Sequence, residues 1–240
     1  MADTHSKSSV VYFNGYDLTG YATAANHTAE QRTAEVTAFG DANEEHIQGQ
    51  TASMQQIDCW FDQAASASDA IINGAFGNDD RLLMYFPGGD SAIGDKGYGY
   101  SGICQEAPIR TDINSAVAMS FQIVSDVGNE RLTSLHPLGA ETATGDETSH
   151  DGGAATTNGA GCYLVVIGFT GITSIDVIIE ASSTNAFAGE ETTLATFTQV
   201  TAINAMQRIA VSGTVPRYLR ASWTIVGTGS ATFCVAIARR

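Results

Sequence analysis

Carboxylates and a histidine cluster in one polar stretch early in the chain. Asp41, Glu44, Glu45 and His46 lie within six residues of one another, and hard cations take carboxylate oxygens as ligands. The stretch lacks the spacing of a calcium-binding loop, however, and acidic loops are commonly solvated. We therefore predict an exposed loop here and no metal site.

Three glycines later in the chain formally fit the dinucleotide-binding pattern G-x-G-x-x-G, at Gly97, Gly99 and Gly102. That site needs its glycines between a strand and a helix, but here they alternate with large residues and no helix follows. Glycine inside a strand indicates close packing or a bend. Tyr98 and Tyr100 could stack a sugar or a base, although core or subunit contacts are the more common role. We predict no cofactor.

The remaining reactive residue types are dispersed. Cys59, Cys104, Cys162 and Cys234 are tens of residues apart among apolar or small neighbours, which predicts buried free thiols rather than a zinc site. The sequence contains no G-x-S-x-G, H-E-x-x-H or G-x-x-x-x-G-K-[ST] motif, and the five histidines are scattered. We expect a protein without catalytic activity.

The charge of the chain limits which partners it can bind. Charged residues make up 15% of the 240 residues, against roughly 25% in an average soluble protein, and the net charge is -15. Residues 1–137 contain 18 acidic and 6 basic residues. This excess of acids disfavours tight binding to nucleic acid, which needs Lys and Arg to displace counterions. The sequence has no apolar run of 18 residues and no visible secretory signal, so we expect no membrane span.

The centre of the predicted fold is the stretch from Arg81 to Val124. An apolar run, 82–86, is followed by the turn residues Pro87-Gly88-Gly89-Asp90, and two runs with period-two alternation come after it, at 98–103 and 116–124. Alternation of this kind predicts strands with one buried face. We predict a long antiparallel hairpin with a third strand, and a protruding loop from about Gly88 to Gly97 that is a candidate for binding.

Around this centre, the first 137 residues read as mainly β with one short helix. Strands are predicted at 10–13, before the hairpin turn Asn14-Gly15, and at 30–39 and 50–62. The helix is predicted over 66–77, with a serine near its start as a possible cap, Asp69 in its first turn and Gly77 at its end.

The second half predicts a separate domain. Residues 138–160 are mostly small or acidic and offer almost nothing to bury, which predicts a flexible linker. After it, residues 161–240 contain six or more short apolar runs, including 162–169, 175–180, 218–225 and 230–238, with turn residues between them. This spacing is typical of an Ig-like or jelly-roll-like β-sandwich.

The order of these features resembles the major tail tube proteins of long-tailed phages with non-contractile tails. The resemblance covers about residues 8–137. It rests on the following segments: Val10–Leu18, Ala38–Asp41, Gly49-Gln50, the helix from Ser68 to Phe76, Tyr85–Asp90 and Gly97–Gly102. Residues 161–240 look similar to the small β-sandwiches often appended to phage structural proteins, through Tyr218–Trp223 and the ending Phe233–Arg240.

The resemblance implies a tail-tube-type β-sandwich or half-barrel whose copies join as hexameric rings, with the rings stacked into a tube. It also implies a tape measure protein and a tail terminator as partners, and double-stranded DNA that passes through an acidic lumen without specific binding. The expected location is the virion tail, after synthesis in the host cytoplasm. The candidate contact residues between rings or subunits are Pro87, Gly88, Gly89, Asp90, Ile93, Lys96, Tyr98, Tyr100, Asp41, Glu44 and Glu45, and the N-terminal arm is a further candidate.

A second interpretation stays open. The chain could be a capsid decoration protein or an adhesin whose C-terminal domain binds a host glycan. Glycan binding by residues 161–240 would favour it over the tube protein, and the location of the chain in the particle would separate the two.

Overall fold

The computed structural model describes residues 6–39, 42–64, 66–187 and 189–240. These residues are mainly β with one short α-helix, as predicted. The elements of the first 130 residues are a 3-10 turn at Ser6–Ser8, β1 Val10–Phe13, β2 Tyr16–Asp17, β3 Ala22–Glu35, β4 His46–Trp60, α1 Ser68–Ala75, β5 Arg81–Phe86, β6 Lys96–Glu106, β7 Ile109–Arg110 and β8 Ala118–Ser125. The later elements are β9 Glu130–Glu141, β10 Gly145–Asp146, β11 His150–Asp151, β12 Ala160–Ser182, β13 Thr192–Thr196, β14 Ala205–Val211 and β15 Tyr218–Arg239.

The contacts within the chain divide it into two units. The first unit comprises Met1–Gly20, Leu82–Gly99 and Glu130–Arg240, and the second comprises Tyr21–Arg81 and Tyr100–Asn129. This division differs from the predicted boundary near residue 137, because β9 spans that boundary and pairs with β15. Separate folding of residues 161–240 stays a prediction.

The first unit is built on β12 and β15, which pair antiparallel along almost their whole lengths. Each was predicted as two short strands with a turn between them, and those turns are wrong. The register shifts between Val166 and Gly168, and again on both sides of Ile172, so bulges bend a continuous strand. The apolar core cluster contains Cys162 and Leu164 before the bulges and Val177 and Ile179 after them. Both halves of the strand therefore bury side chains in one core, as strands do when they turn a corner by a bulge.

The other face of β12 and β15 is covered as well. Tyr163, Val165 and Ala236 pack with Tyr12 and Phe86 in a second cluster. Since both faces of these strands are buried, their sequence is almost continuously apolar. The strand order across the first unit is β13-β12-β15-β9-β6-β5-β1-β2, with β14 also on β12.

The predicted linker, 138–160, is paired rather than free in the structure. β10 and β11 both pair with β15. The Glu147 and Gly152 N–H groups donate to carbonyls of Ala221 and Arg217, and Trp223 Nε1 donates to the Ala143 carbonyl. Composition misled here because backbone hydrogen bonds to a neighbouring strand need no apolar side chains.

The second unit is a sheet in which β4 lies between β3 and β8. On its other edge, β8 pairs with β6 and β7. The helix α1 buries Ile71, Ile72 and Ala75. The predicted serine cap is wrong: the N-cap is Ala67, and the Ser68 hydroxyl donates instead to the Trp60 carbonyl at 2.7 Å. Gly77, predicted to end the helix, follows it with φ +72°.

Candidate functional site

The most exposed part of the second unit is a β-hairpin, which we call the arm and define as residues 28–51. Every described residue from Thr28 to Thr51 is exposed. It is formed by β3 and β4, which stay in register out to Glu35 opposite His46. β8 pairs with β4 only from Met54 to Trp60. In the described part of the chain, the outer half of the arm is therefore a two-stranded ribbon with both edges unpaired.

The local sequence explains why the arm forms but gains little from burial. Gln31 Nε2 donates to the Gly49 carbonyl, and Thr51 Oγ1 donates to Gln31 Oε1 at 3.0 Å. At the tip, the Glu45 N–H donates to Thr37 Oγ1 and the Val36 N–H to the Glu45 carbonyl. A two-stranded hairpin alone is marginally stable in water, so an arm of this length is expected to gain stability from a partner.

The arm tip carries apolar side chains that solvent reaches. Val36, Phe39 and Ile47 are exposed, and Phe39 fully so. Of the residues predicted from the acidic loop, Glu44 and Glu45 are exposed at this tip, whereas Asp41 lies outside the described residues. Single exposed apolar residues are ordinary on a protein surface, but a grouped set indicates a contact site.

A second group of exposed apolar residues lies at the other end of the same sheet. They are Trp60, Ile109 and Ile113, and they do not form one surface, because Ile109 lies opposite Met119 and therefore on the other face of the sheet from Trp60. Trp60 ends β4 and is 48% exposed, Ile109 begins β7, and Ile113 in the following loop is 99% exposed. Sequence reasoning missed these exposed residues, because Trp60 sat in a predicted strand where an aromatic residue suggests burial.

One face of the second unit's sheet is open and polar. Residues that lie directly opposite one another on paired strands share a face, and the pairs Asn26–Gln56 and Gln56–Gln122 place these amides side by side. Glu30 and Asp58 lie on the same face. Arg110 lies at its end, opposite Ala118.

The other face of this sheet is buried and holds a polar network. The Tyr100 hydroxyl donates to Gln55 Oε1 at 3.0 Å and also contacts His27 Nδ1. Burial lowers the pKa of His27. Tyr100 was a candidate contact residue, but in the structure its side chain is fully buried within the chain.

The predicted loop at Gly88–Gly97 does not protrude in the structure. Asp90 is only 8% exposed, and its Oδ2 accepts the Leu138 N–H at 3.0 Å. Asp95 Oδ2 accepts the N–H groups of Ser91 and Ala92 at 2.9 Å, which closes the tip. The loop is thus fixed to the first unit by its own carboxylates.

The other predicted residues of this loop are divided between surface and interior. Pro87, Gly88, Gly89 and Lys96 line a pocket of about 500 Å³ together with Ser9, Tyr85 and Asp95. Gly88 and Lys96 are exposed, whereas Ile93 and Tyr98 are half-buried. Lys96 Nζ donates to Thr133 Oγ1 at 2.7 Å, and burial lowers the pKa of Lys96, with Arg131 adding to the effect. Whether any of these residues meets another copy stays a prediction.

The structure also shows where the four cysteines and the glycines of β6 lie. The four cysteines are free and buried, as predicted. Gly97–Gly102 lie within β6 rather than before a helix, and a Cβ at Gly99 would come within 2.7 Å of the Tyr163 ring. The glycines therefore allow close packing, as expected.

Among the described residues, no group of three or more His, Cys, Asp or Glu side chains could hold a metal ion. Within the same ranges, no helix has the length and apolar character needed to cross a membrane.

Comparisons with known proteins give only distant similarities. No protein-family model and no curated protein matches the chain. Among solved structures, a chain of the tail of an empty GTA particle, refined with C6 symmetry, is similar with a TM-score of 0.41 at 12% identity, covering 53% of this chain and 97% of that one. The SPP1 Dit protein, described as a hub adsorption apparatus of phages that infect Gram-positive hosts, is similar with a TM-score of 0.37 at 12% identity, covering 95% of this chain and 97% of that one. A chain of infectious bursal disease virus, Gx strain, has a TM-score of 0.28 at 10% identity, covering 95% of this chain and 55% of that one. Since all three TM-scores are below 0.5, these similarities carry no argument about function.

Proposed function

We propose that the chain is a structural protein of a phage virion tail, and that its copies polymerise as stacked hexameric rings into the tail tube. The observation that carries the proposal is the arm, residues 28–51, which is exposed on both faces and unpaired on both edges in its outer half. Long exposed strand edges are templates for pairing with another chain, and soluble proteins normally protect them. An assembly that covers the arm removes this liability.

The resemblance of residues 8–137 to tail tube proteins supplies the kind of assembly. Its specific segments include Val10–Leu18, whose Asn14-Gly15 turn has positive φ at both residues, and the helix that begins at Ser68. Each of these features has the local structure that the resemblance implies.

In this proposal, the open polar face of the second unit lines the lumen. The amides of Gln56 and Gln122 and the carboxylates of Glu30 and Asp58 lie there. Phosphates are repelled by carboxylates and bind weakly to uncharged amides, so DNA would pass without sticking. The tape measure protein and the tail terminator are the partners that such a tube requires.

Negative-stain electron microscopy of the purified chain tests the proposal, with gold-labelled antibody on intact particles to locate it. We expect rings or tubes, and label along the tail. As a variant, residues 36–45 are replaced by Asn-Gly, which joins the paired residues Glu35 and His46 by a two-residue hairpin turn. This variant should keep its β-sheet circular dichroism and lose assembly. A chain that stays monomeric and never enters particles would defeat the proposal.

A further inference from the structure

The strand β3 has one edge that no other described strand covers. β3 pairs only with β4, and its residues from Thr28 to Glu35 are all exposed. The edge that faces away from β4 therefore presents backbone N–H and carbonyl groups to solvent, and such an edge pairs readily with a further strand. The sequence of β3 indicates which strand fits there.

The pairing of β3 with β4 fixes which residues of β3 point outward. The Val36 N–H donates to the Glu45 carbonyl, so Val36 directs its backbone groups toward β4. The backbone groups of successive residues in a strand point alternately to its two sides. Between Gln31 and Thr33 the extra residue of the register shift lies in β4, so the alternation along β3 is not interrupted. The odd-numbered residues from 27 to 35 therefore direct their N–H and carbonyl groups away from β4.

Two side chains of β3 carry opposite charges on one face. Glu30 and Arg32 are both exposed, and neither forms an ion pair with another residue in the described ranges. The β4 residues beside them are Gly49, Gln50 and Ala52, which carry no charge. Since residues two apart lie on the same face of a strand, this face offers one anion and one cation to a further strand.

A second copy of β3 satisfies both the backbone and the charges. In an antiparallel ladder, the residues that exchange hydrogen bonds lie directly opposite one another, so odd-numbered residues have to face odd-numbered residues. Gln31 opposite Gln31 of the other copy meets this condition, and it places Glu30 opposite Arg32 twice. A register with Arg32 opposite Glu35 fails, because it sets outward-pointing residues against residues that point toward β4.

We infer that two copies of the chain join through β3 in an antiparallel ladder with twofold symmetry, centred on Gln31. The ladder extends from His27 to Glu35, an overlap of roughly 30 Å. Glu30 and Arg32 then form non-hydrogen-bonded pairs, in which side chains lie closest, and opposite charges in such pairs stabilise a sheet.

This contact goes beyond the proposed function. It is isologous and closes at two copies, so it describes the chain before assembly rather than a ring. Because the proposed rings use the same arm, dimer and ring compete for it. The dimer covers an exposed strand edge, which would otherwise promote aggregation, until rings form.

Charge reversal tests the register. Arg32→Glu sets two acids opposite each other at both pairs, and Glu30→Arg does the same with two cations, which destabilises a ladder. Each single variant should dimerise about tenfold more weakly than the wild type in sedimentation velocity, which separates dimers from rings by size. The double variant Glu30→Arg/Arg32→Glu restores both pairs and should dimerise like the wild type. Asp79→Arg, at an exposed position outside β3, controls for the change in net charge.

A cysteine on the twofold axis detects the dimer directly. Gln31→Cys places two thiols on directly opposite residues with Cα atoms about 5.5 Å apart, which is within disulfide range. The native cysteines are buried, so oxidation should link two copies through position 31. Thr33→Cys is the matched control, because its two copies lie at least about 13 Å apart along the ladder. It should form no disulfide alone, but it should cross-link when mixed with Ala29→Cys, which lies opposite.

The outcomes separate this inference from the proposed function. A monomeric wild type, a double variant as weak as the single variants, or Thr33→Cys that links as readily as Gln31→Cys overturns the twofold pairing. Any of these results together with label along the tail would leave the proposed function standing. A cross-linked Gln31→Cys dimer of a chain that is absent from tails would support the pairing and remove the proposed function.

Discussion

Glu130 and Arg208 form a bidentate ion pair in the interior of the first unit. Arg208 Nη2 lies 2.7 Å from Glu130 Oε1 and its Nε lies 2.9 Å from Oε2. Tyr163 and Arg240 also donate to this carboxylate, whose side chain is 1% exposed. Burial alone would raise the pKa of Glu130, but the hydrogen bonds from Arg208 and Tyr163 and the charge of Arg208 outweigh it, so the pKa is lowered.

Breaking this pair should strongly destabilise the fold. In Arg208→Met the buried Glu130 carboxylate loses most of the hydrogen bonds and charge that offset its burial. Such a change typically lowers the free energy of unfolding by about 3–5 kcal/mol. Urea unfolding at pH 7 measures the loss. The matched control is Arg217→Met, which removes the exposed pair with Asp151, and solvent screening makes that pair weak. Equal losses in the two variants would show that the Glu130 pair does not stabilise the interior.

The same pair predicts a pH dependence. Because the pKa of Glu130 is lower in the folded chain than its ordinary 4.5, the folded state is favoured by the ionised form. This contribution is complete above pH 4.5 and is lost as pH falls through the folded pKa. Urea midpoints of the wild type should fall on acidification below pH 4.5. In Arg208→Met the fall in the urea midpoint should be smaller. A fall of the same size in both proteins would contradict the role given to the Glu130–Arg208 pair.

Asp90 should behave in the opposite way. Burial raises its pKa, and the hydrogen bond from the Leu138 N–H together with the neighbouring Cys234 and Ser134 side chains offsets this only in part. The ionised form therefore penalises folding at pH values above the folded pKa, and the penalty fades as pH falls toward the ordinary 3.8. Asp90→Asn should raise the urea midpoint at pH 8 and have little effect near pH 4. Asp79→Asn, at an exposed position, is the control and should leave the urea midpoint unchanged at both pH values. A lower midpoint for Asp90→Asn at pH 8 would contradict this account.

Gly102 tests the close packing of strands in the second unit. A Cβ at this position would lie 1.9 Å from the Val124 carbonyl oxygen, and a backbone atom cannot yield easily. Gly102→Ala should cost about 1–3 kcal/mol. Gly74→Ala is the control, because this helical glycine has nothing within 4 Å of its Cβ position and alanine favours a helix by about 0.8–1.0 kcal/mol. Thermal unfolding should therefore move in opposite directions for the two variants.

The local features of this fold could be predicted from sequence because their causes are local. Asn14-Gly15 adopts positive φ at both residues, as its turn requires, and α1 forms where apolar residues share one helical face. The apolar run 82–86 located β5, and alternation located β6 and β8. In contrast, alternation cannot say where a strand stops when glycines permit a bulge, so β12 and β15 were each read as two strands.

The candidate site was less predictable, since it depends on which strands meet. Tyr98 and Tyr100 have the same sequence signal, yet Tyr100 is fully buried against Gln55 while Tyr98 is half-buried. Turn residues at 87–90 suggested a protruding tip, but Asp90 turns inward to Leu138. The arm extends outward because the pairing of β8 with β4 ends where Val124 lies opposite Met54, a fact about pairing that the sequence of β4 alone does not contain.

Limited proteolysis separates the arm from the segment predicted as a linker. A glutamate-specific protease has sites at Glu44 and Glu45 in the arm tip and at Glu141 and Glu147 in 138–160. Cleavage requires local opening of the chain. The arm needs little local unfolding before a protease can cut it. Glu147, in contrast, donates its N–H to the Ala221 carbonyl, and its carboxylate lies 2.8 Å from the buried His136.

The first cuts should therefore fall at Glu44 and Glu45, with cleavage at Glu141 and Glu147 slower by at least about tenfold and accelerated by urea, because those sites open only with much of the first unit. Mass spectrometry of early time points gives the order. Assembled material should resist cutting at the arm tip, since the proposed assembly covers the arm. Early cutting within 138–160 would instead favour the flexible linker, and an arm tip that is cut equally fast in assemblies would show that copies join through another surface.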